Sequence, residues 1–270
     1  MEERFVDDGA GGAFLVRTEG TGPGVVVLHG GGIDSREYGR LARVLGERCT
    51  VHRYDRRGRV GAPPLRPGHD VEVDVDDLAR ILEATGARRL LAHSGGAFVA
   101  LRAALRLPVE RLALYDPAVS IDGSTPTAWF EPFRAAVAAG DVPRAMALAG
   151  EGADPDAALA RLPMPVRIAI CRVLLRTPVG RRMGEGLPTA VTEVGQIIAH
   201  DGPASAYAGV TADSLLVAGA RSAASFGRVC DALAAAMPRA RSLRIAGAAH
   251  EAINVARPAF VAPFADFLAA

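Results

Sequence analysis

The chain has 270 residues, 50% hydrophobic and 23% charged, so it can bury a real core and is not a disordered tail. Its 31 basic residues stand against 30 acidic ones, which leaves no field for a phosphate backbone or an anionic bilayer surface, and neither nucleic acid nor membrane is an expected partner. Cys49, Cys171 and Cys230 lie far apart with no CxxC pair, which excludes a zinc knuckle or a disulfide framework as a reading and fits a reducing cytosol.

The start, Met1 to Asp8, is acidic and lacks the apolar stretch of a leader. No apolar run approaches the roughly 20 residues that a bilayer requires, so a cytoplasmic protein is expected. Short β-branched runs alternate with amphipathic stretches, the sequence form of an α/β sheet. Ala13 to Thr18 and Val25 to His29 read as strands, the second continuously apolar and suited to burial on both faces. Tyr38, Leu41, Val44 and Leu45 share one side of a helix that begins near Ser35, and Thr50 to Tyr54 is the next strand. A Gly/Pro-rich loop from Gly58 to Gly68 precedes Asp70, which is placed to cap a helix with Val75, Leu78, Ile81 and Leu82 on one face. Arg89 to Ala92 is a strand, Gly95 to Leu105 a helix and Arg111 to Tyr115 a further strand.

Residues 118–212 break this rhythm with proline-punctuated helical segments, and the apolar periodicity around Trp129, Phe130, Phe133 and Val137 argues for packed helices. Alternation resumes with a strand at Ser214 to Ala218, a helix carrying Phe226, Val229, Leu233 and Met237, and a strand at Arg241 to Ile245. Phe260, Val261, Phe264, Phe267 and Leu268 stripe a C-terminal helix. The expected division is a core of 1–117 and 213–270 with a helical insertion of 118–212.

Three segments carry chemistry. Leu90-Leu91-Ala92-His93-Ser94-Gly95-Gly96 runs from strand to helix through a serine flanked by small residues, the form of a nucleophile elbow. The turn strains the serine backbone and tolerates only small side chains two residues either side, which Ala92 and Gly96 provide. The bland alternative is that Gly95-Gly96 merely allows close packing of helix on strand. Val25 to Leu28 opens into His29-Gly30-Gly31-Gly32, where backbone N–H groups can hold an oxyanion; Gly95 and Gly31 are assigned to it, with Gly32 as the fallback. A phosphate loop is disfavoured, because no GxxxxGK[ST] occurs and no GxGxxG opens a helix. Gly247-Ala248-Ala249-His250 follows the last strand and places His250 as general base. Of the other histidines, His29 is expected to buttress the oxyanion loop and His93 sits beside the elbow; both are grouped with the substrate pocket.

The H-G-G-G turn, the A-H-S-G-G elbow and the late G-x-x-H together resemble the α/β-hydrolase superfamily, and Asp55-Arg56-Arg57-Gly58 matches its D-x-R-G turn after the fourth strand. More closely, the chain is similar to small bacterial hydrolases with an H-S-x-G-A elbow and an L-Y-[ED]-P segment. The resemblance implies a mostly parallel eight-stranded sheet flanked by helices, a helical cap between the sixth and seventh strands, a triad of nucleophile, acid and histidine, and no cofactor or metal. The acid departs from the usual pattern, since no carboxylate lies between Gly219 and Cys230. Leu112-Ala113-Leu114-Tyr115-Asp116-Pro117 supplies Asp116 at the end of the sixth strand instead, with Asp122 a second candidate and Asp213 at the wrong end of its strand. Capping a turn before Pro117 is the alternative role for Asp116.

A cap over the sheet would let Trp129, Phe130, Phe133, Ile197 and Tyr207 line the substrate pocket, although for any single one of them holding the cap helices to the core is the favoured role. Arg161, Arg167, Arg172, Arg176, Arg181 and Arg182 make it locally basic, which we read as a solvated face rather than as an anion site. The expected activity is that of a serine hydrolase which opens a carboxylic ester, thioester or lactone of a small, mostly apolar molecule through an acyl-enzyme on Ser94. A cyclase, lyase or C–C bond-cleaving enzyme on the same fold, or a ligand-binding protein with a vestigial triad, are the alternatives.

Overall fold

The apolar run Val25 to Leu28 is at most 2% exposed, and its alternate residues serve two different cores. In the computed structural model, which describes residues 1–155 and 157–270, this run belongs to an eight-stranded sheet. The strands are β1 (Glu2–Asp7), β2 (Ala13–Gly20), β3 (Gly24–Leu28), β4 (Thr50–Arg53), β5 (Arg89–His93), β6 (Arg111–Tyr115), β7 (Asp213–Gly219) and β8 (Ala240–Ile245). They lie in the order β1-β2-β4-β3-β5-β6-β7-β8. β1 pairs with β2 and β2 with β4 antiparallel, while all pairs from β4 to β8 are parallel.

Strand periodicity sorts the side chains. Val26, Leu28, Leu90, Leu112, Leu114 and Leu216 face α2 (Val71–Thr85), α3 (Gly95–Ala104) and α9 (Ala224–Ala236). Val25, Val27, Leu91, Ala113, Leu215 and Val217 face α1 (Gly39–Leu45), α10 (Ala252–Val255) and α11 (Pro258–Ala269). A sheet covered on both faces must have strands apolar on both faces, which is why β3 and β5 to β7 read as continuous hydrophobic runs. Asp70 does cap α2, accepting from Glu72 N at 2.8 Å, and Gly86 closes the helix in the left-handed region at φ 68°.

β1 has no counterpart in the sequence reading. Only Val6 is buried in Glu-Glu-Arg-Phe-Val-Asp and Phe5 is 73% exposed, so this edge strand carries no apolar period; its register against β2 comes from the ladder and from the turn at Asp8, whose Oδ1 accepts from Ala10 N and Gly12 N.

Between β6 and β7 the chain passes through α4 (Phe130–Ala138), α5 (Val142–Ala153), α6 (Met164–Leu174), α7 (Pro178–Glu185) and α8 (Leu187–Ala199), then a 3-10 turn at Ala204–Tyr207. Pro143, Pro165, Pro178 and Pro188 occupy the first turns of α5 to α8, where a missing N–H costs nothing. These helices enclose a core of their own around Phe133, Met146, Leu148, Cys171 and Leu187. No helix among the described residues is long and apolar enough to cross a membrane.

One buried ion cluster ties the edge of the sheet to its centre. Arg57 donates to Asp77 at 2.6 and 2.9 Å and reaches Asp8 Oδ2 at 2.9 Å, all three side chains being at most 4% exposed. Arg57→Met therefore leaves two dry carboxylates without their cation. We expect a loss of about 3–5 kcal/mol in urea unfolding, against about 1 kcal/mol or less for Arg88→Met, whose pair with Glu110 is solvent-exposed at 3.9 Å.

Candidate active site

β5 delivers Ser94 directly to α3. Its backbone lies at φ 51° and ψ −125°, a conformation that a residue with a Cβ rarely adopts. Three backbone bonds hold it there: Ser94 N donates to Tyr115 O at 3.1 Å, and Ser94 O accepts from Ala97 N at 2.9 Å and from Ala118 N at 3.2 Å. The small neighbours are required by contact. A Cβ at Gly96 would lie 2.5 Å from His29 O and 2.9 Å from Leu28 O, both backbone atoms that cannot yield.

The glycine turn after β3 lies alongside. Gly31 N is 3.5 Å from where a Cβ on Gly95 would sit, so the amides of these two residues share one small region. Gly32, at φ 68°, turns away, and its carbonyl lies against Gly186 at the junction of α7 and α8. His29 is fully buried behind the loop rather than in a pocket. Its Nε2 accepts from Arg56 N at 3.0 Å, so Nδ1 carries the proton and donates to Gly30 O at 2.8 Å. Burial, reinforced by the Arg59 and Arg56 charges, holds the His29 pKa well below the ordinary 6.5.

Asp116 follows β6 at φ 44° and is wholly buried. Oδ1 accepts from Gly219 N at 2.9 Å, while Oδ2 accepts from Ser222 Oγ at 2.6 Å and from His250 Nδ1 at 3.0 Å. Both the end of β7 and the loop after β8 thus converge on a carboxylate that belongs to β6. The loop carrying His250 is pinned by Tyr115, whose hydroxyl donates to Ala249 O at 2.6 Å. The imidazole itself lies between Phe226, stacked at 4.9 Å and 11°, and His93 at 4.4 Å. With Nδ1 committed to Asp116, Nε2 is free for a reacting group. Among the described residues Ser94 Oγ makes no hydrogen bond.

A second buried chain links the two halves. Tyr38 Oη accepts from Gly30 N at 2.9 Å and donates its own proton to His93 Nδ1 at 2.7 Å. Burial, with the neighbouring His250 charge, depresses the His93 pKa well below 6.5 and keeps the ring neutral.

The aromatic set expected to line a pocket is placed differently. Phe133 is fully buried in the insertion's own core, with Trp129 and Phe130 packed against that core, because their spacing puts them on the face of α4 that meets α5 and α8. Tyr207 is buried in the main core near α9. Ile197 alone of this set borders the cavity next to Gly95, and that cavity holds only about 10 Å3, roughly the room of one water. Of the insertion's arginines, Arg167 pairs with Glu151 at 2.7 Å and Arg182 with Glu37; Arg161, Arg172, Arg176 and Arg181 are exposed.

Sequence reasoning missed Tyr38, Ser222, Phe226 and Glu193. Tyr38 and Phe226 carried a helical period and read as plain core, and Ser222 had no motif. Glu193 did leave a signal, as the single charged residue of α8.

Both buried histidines have a consequence for stability. Their folded pKa values lie below 6.5, so on acidification the unfolded chain takes up protons that the folded chain refuses, and stability falls as pH drops through about 6.5. Each histidine contributes a slope of about 1.4 kcal/mol per pH unit. Urea midpoints at pH 7.5 and 5.5 measure this, and identical midpoints would refute it.

The sequence profile of the alpha/beta hydrolase family matches residues 25–264. Over 103 residues the chain is 36% identical to the pimeloyl-[acyl-carrier protein] methyl ester esterase of Chromobacterium violaceum; the match takes in 37% of this chain and spans only 39% of that relative. A crystal structure of an alpha/beta hydrolase from Sphaerobacter thermophilus superposes with a TM-score of 0.77 at 25% identity, covering 97% of this chain and all (100%) of that one. The enol-lactonase of Burkholderia xenovorans shares the fold at a TM-score of 0.69 and 20% identity, with 99% of each chain covered. With that match running from the third strand through the elbow and the final histidine loop, this chain belongs to the alpha/beta hydrolase family.

Proposed function

We propose that the chain is a cytoplasmic serine hydrolase that opens a carboxylic ester, thioester or lactone of a small molecule without a cofactor, with residues 118–212 serving as a cap over the site. The observation that carries this reading is the 3.0 Å contact from Asp116 Oδ2 to His250 Nδ1, made beside a serine held at φ 51°. Relatives named for ester and lactone chemistry support the same reaction class.

In this mechanism Ser94 Oγ attacks the substrate carbonyl while His250 Nε2 takes the hydroxyl proton. Asp116 keeps the imidazole in the right tautomer and stabilises the imidazolium. The N–H groups of Gly31 and Gly95 receive the oxyanion, an effect worth about 3–4 kcal/mol per donor in well-studied cases. Collapse of the tetrahedral adduct passes the proton to the departing oxygen or sulfur and leaves an ester on Ser94. Water, deprotonated by His250, then releases the acid and restores the serine. Ser222 and Gly219 hold the Asp116 carboxyl group in place through both steps by hydrogen bonds, and Phe226 fixes the plane of the imidazole.

Intact-mass and peptide analysis after incubation with a fluorophosphonate tests the scheme. A single adduct on Ser94 is expected, absent in Ser94→Ala and slowed by about 10⁴-fold in His250→Ala and Asp116→Asn. Full turnover of an ester by Ser94→Ala would sink it.

A further inference from the structure

Arg56, Arg57 and Arg59 all follow β4, but their surroundings differ. Arg57 is neutralised by two carboxylates of the core, Asp8 and Asp77. Arg56 and Arg59, 2% and 4% exposed, share one carboxylate that comes from the insertion, Glu193 of α8. Arg56 Nη2 is 2.6 Å from Glu193 Oε1, and Arg59 Nη2 donates to Oε1 and Oε2 at 2.8 and 3.1 Å. Asp74 is 3.9 Å from Arg56 and its other oxygen bonds His69 Nε2 at 3.0 Å. Donors outnumber well-placed acceptors here, for among the described residues Arg56 Nε, Arg56 Nη2 and Arg59 Nη1 are buried without a hydrogen bond, the 2.6 Å approach of Arg56 Nη2 to Glu193 being an ion pair only. Such groups are rare in a finished core and costly where they occur.

The position of this pair is what gives it meaning. Glu193 Oε2 lies 3.2 Å from where a Cβ on Gly31 would sit, and Gly31 N is 3.5 Å from the corresponding point on Gly95. Glu193, Arg56 and Gly95 line the same cavity, whose roughly 10 Å3 leaves no room for a substrate. A carboxylate from the insertion therefore stands beside the amides assigned to the oxyanion.

We propose that Arg56 and Arg59 form a subsite for a carboxylate on the acyl part of the substrate, and that Glu193 fills it while the site is empty. The inference rests on the serine-hydrolase reading of Ser94 and narrows its substrate to short half-esters of dicarboxylic acids, or the corresponding thioesters, whose free carboxylate lies a few bonds from the reacting carbonyl. Withdrawing Glu193 with nothing in its place leaves two buried cations against Asp74 alone, a costly state. An arriving carboxylate restores the charge balance and supplies acceptors to the same guanidinium groups in their forked geometry. Opening of the site is in this way coupled to an anionic ligand. A merely structural clasp between insertion and core would show no preference for a charged acyl group.

The test compares p-nitrophenyl hydrogen glutarate with its neutral counterpart, p-nitrophenyl methyl glutarate, on the wild type and on the double variant Arg59→Met, Glu193→Gln, in which the pair is removed together. The wild type should favour the charged ester in kcat/KM, and the double variant should lower the charged-to-neutral ratio by roughly ten- to a hundredfold, the factor that a charge-assisted hydrogen bond is worth. Turnover of both esters with the same ratio in both proteins overturns the carboxylate subsite and leaves the serine hydrolase standing. A separate readout is thermal unfolding with free glutarate, which should stabilise Glu193→Gln and not the double variant. If neither ester is turned over and Ser94 takes no label, the hydrolase reading fails, and glutarate alone decides: stabilisation lost with Arg59 supports the subsite, and none in Glu193→Gln overturns it.

Discussion

A buried carboxylate governs the arrangement of this site. Asp116 has no exposed surface, so its two carboxyl oxygens must be met by hydrogen-bond partners within the protein. Those partners arrive from Gly219 at the end of β7, from Ser222 beyond it and from His250 after β8. The ends of β6 and β7 and the loop after β8 are thereby drawn to one point at the carboxyl edge of a parallel sheet, the edge at which such folds bind ligands. Close approach is part of the same constraint. A Cβ at Gly219 would lie 2.5 Å from Ser222 Oγ and 2.6 Å from Ala248 O, so a side chain there would push apart the loops that Asp116 gathers.

The oxyanion loop and the histidine loop are not independent of each other. Gly30 N, Tyr38 Oη and His93 Nδ1 form a continuous buried chain, and the His93 ring packs on that of His250. His29 fixes the loop from the opposite side by binding Arg56 N and Gly30 O. A neutral ring is what both positions need, because each has one nitrogen accepting a hydrogen bond and would lose it on protonation. The same desolvation that keeps these rings neutral makes them a liability in acid, so the geometry of the glycine turn is maintained at some cost in stability at low pH.

How much of this was legible in the sequence depends on where the information resides. The central strands, the elbow at Ser94 and the loop at His250 rest on local rules: an apolar run for a doubly covered strand, small residues for a strained turn, a histidine after the last strand. Asp116 is the acid that the family resemblance implies, since the usual position after β7 holds no carboxylate, and it lies within hydrogen-bond distance of His250. β1 was invisible because an exposed edge strand needs backbone partners rather than an apolar period. The aromatic residues at α4 left both a pocket and a packing role open, for the opposite reason. Their period was real, but it described packing within the insertion, and one period cannot say which neighbour a face will meet.

The three arginines after β4 show the limit of motif reading in another way. In sequence, Asp55-Arg56-Arg57-Gly58-Arg59 is a single turn signature, and nothing local separates one guanidinium from the next. Their roles are set by what each meets at long range: Asp8 and Asp77 for Arg57, the backbone carbonyl of Ile33 and Glu193 for Arg59, Glu193 and a distant Asp74 for Arg56. A cation satisfied entirely by the core contributes to the fold whatever the insertion does. A cation whose nearest counter-charge comes from α8 makes the stability of the closed form depend on a group that can be exchanged. Because the insertion supplies the carboxylate that two such cations share, displacement of Glu193 is an electrostatic event before it is a steric one, and the charge of whatever enters the site decides whether that displacement is tolerated.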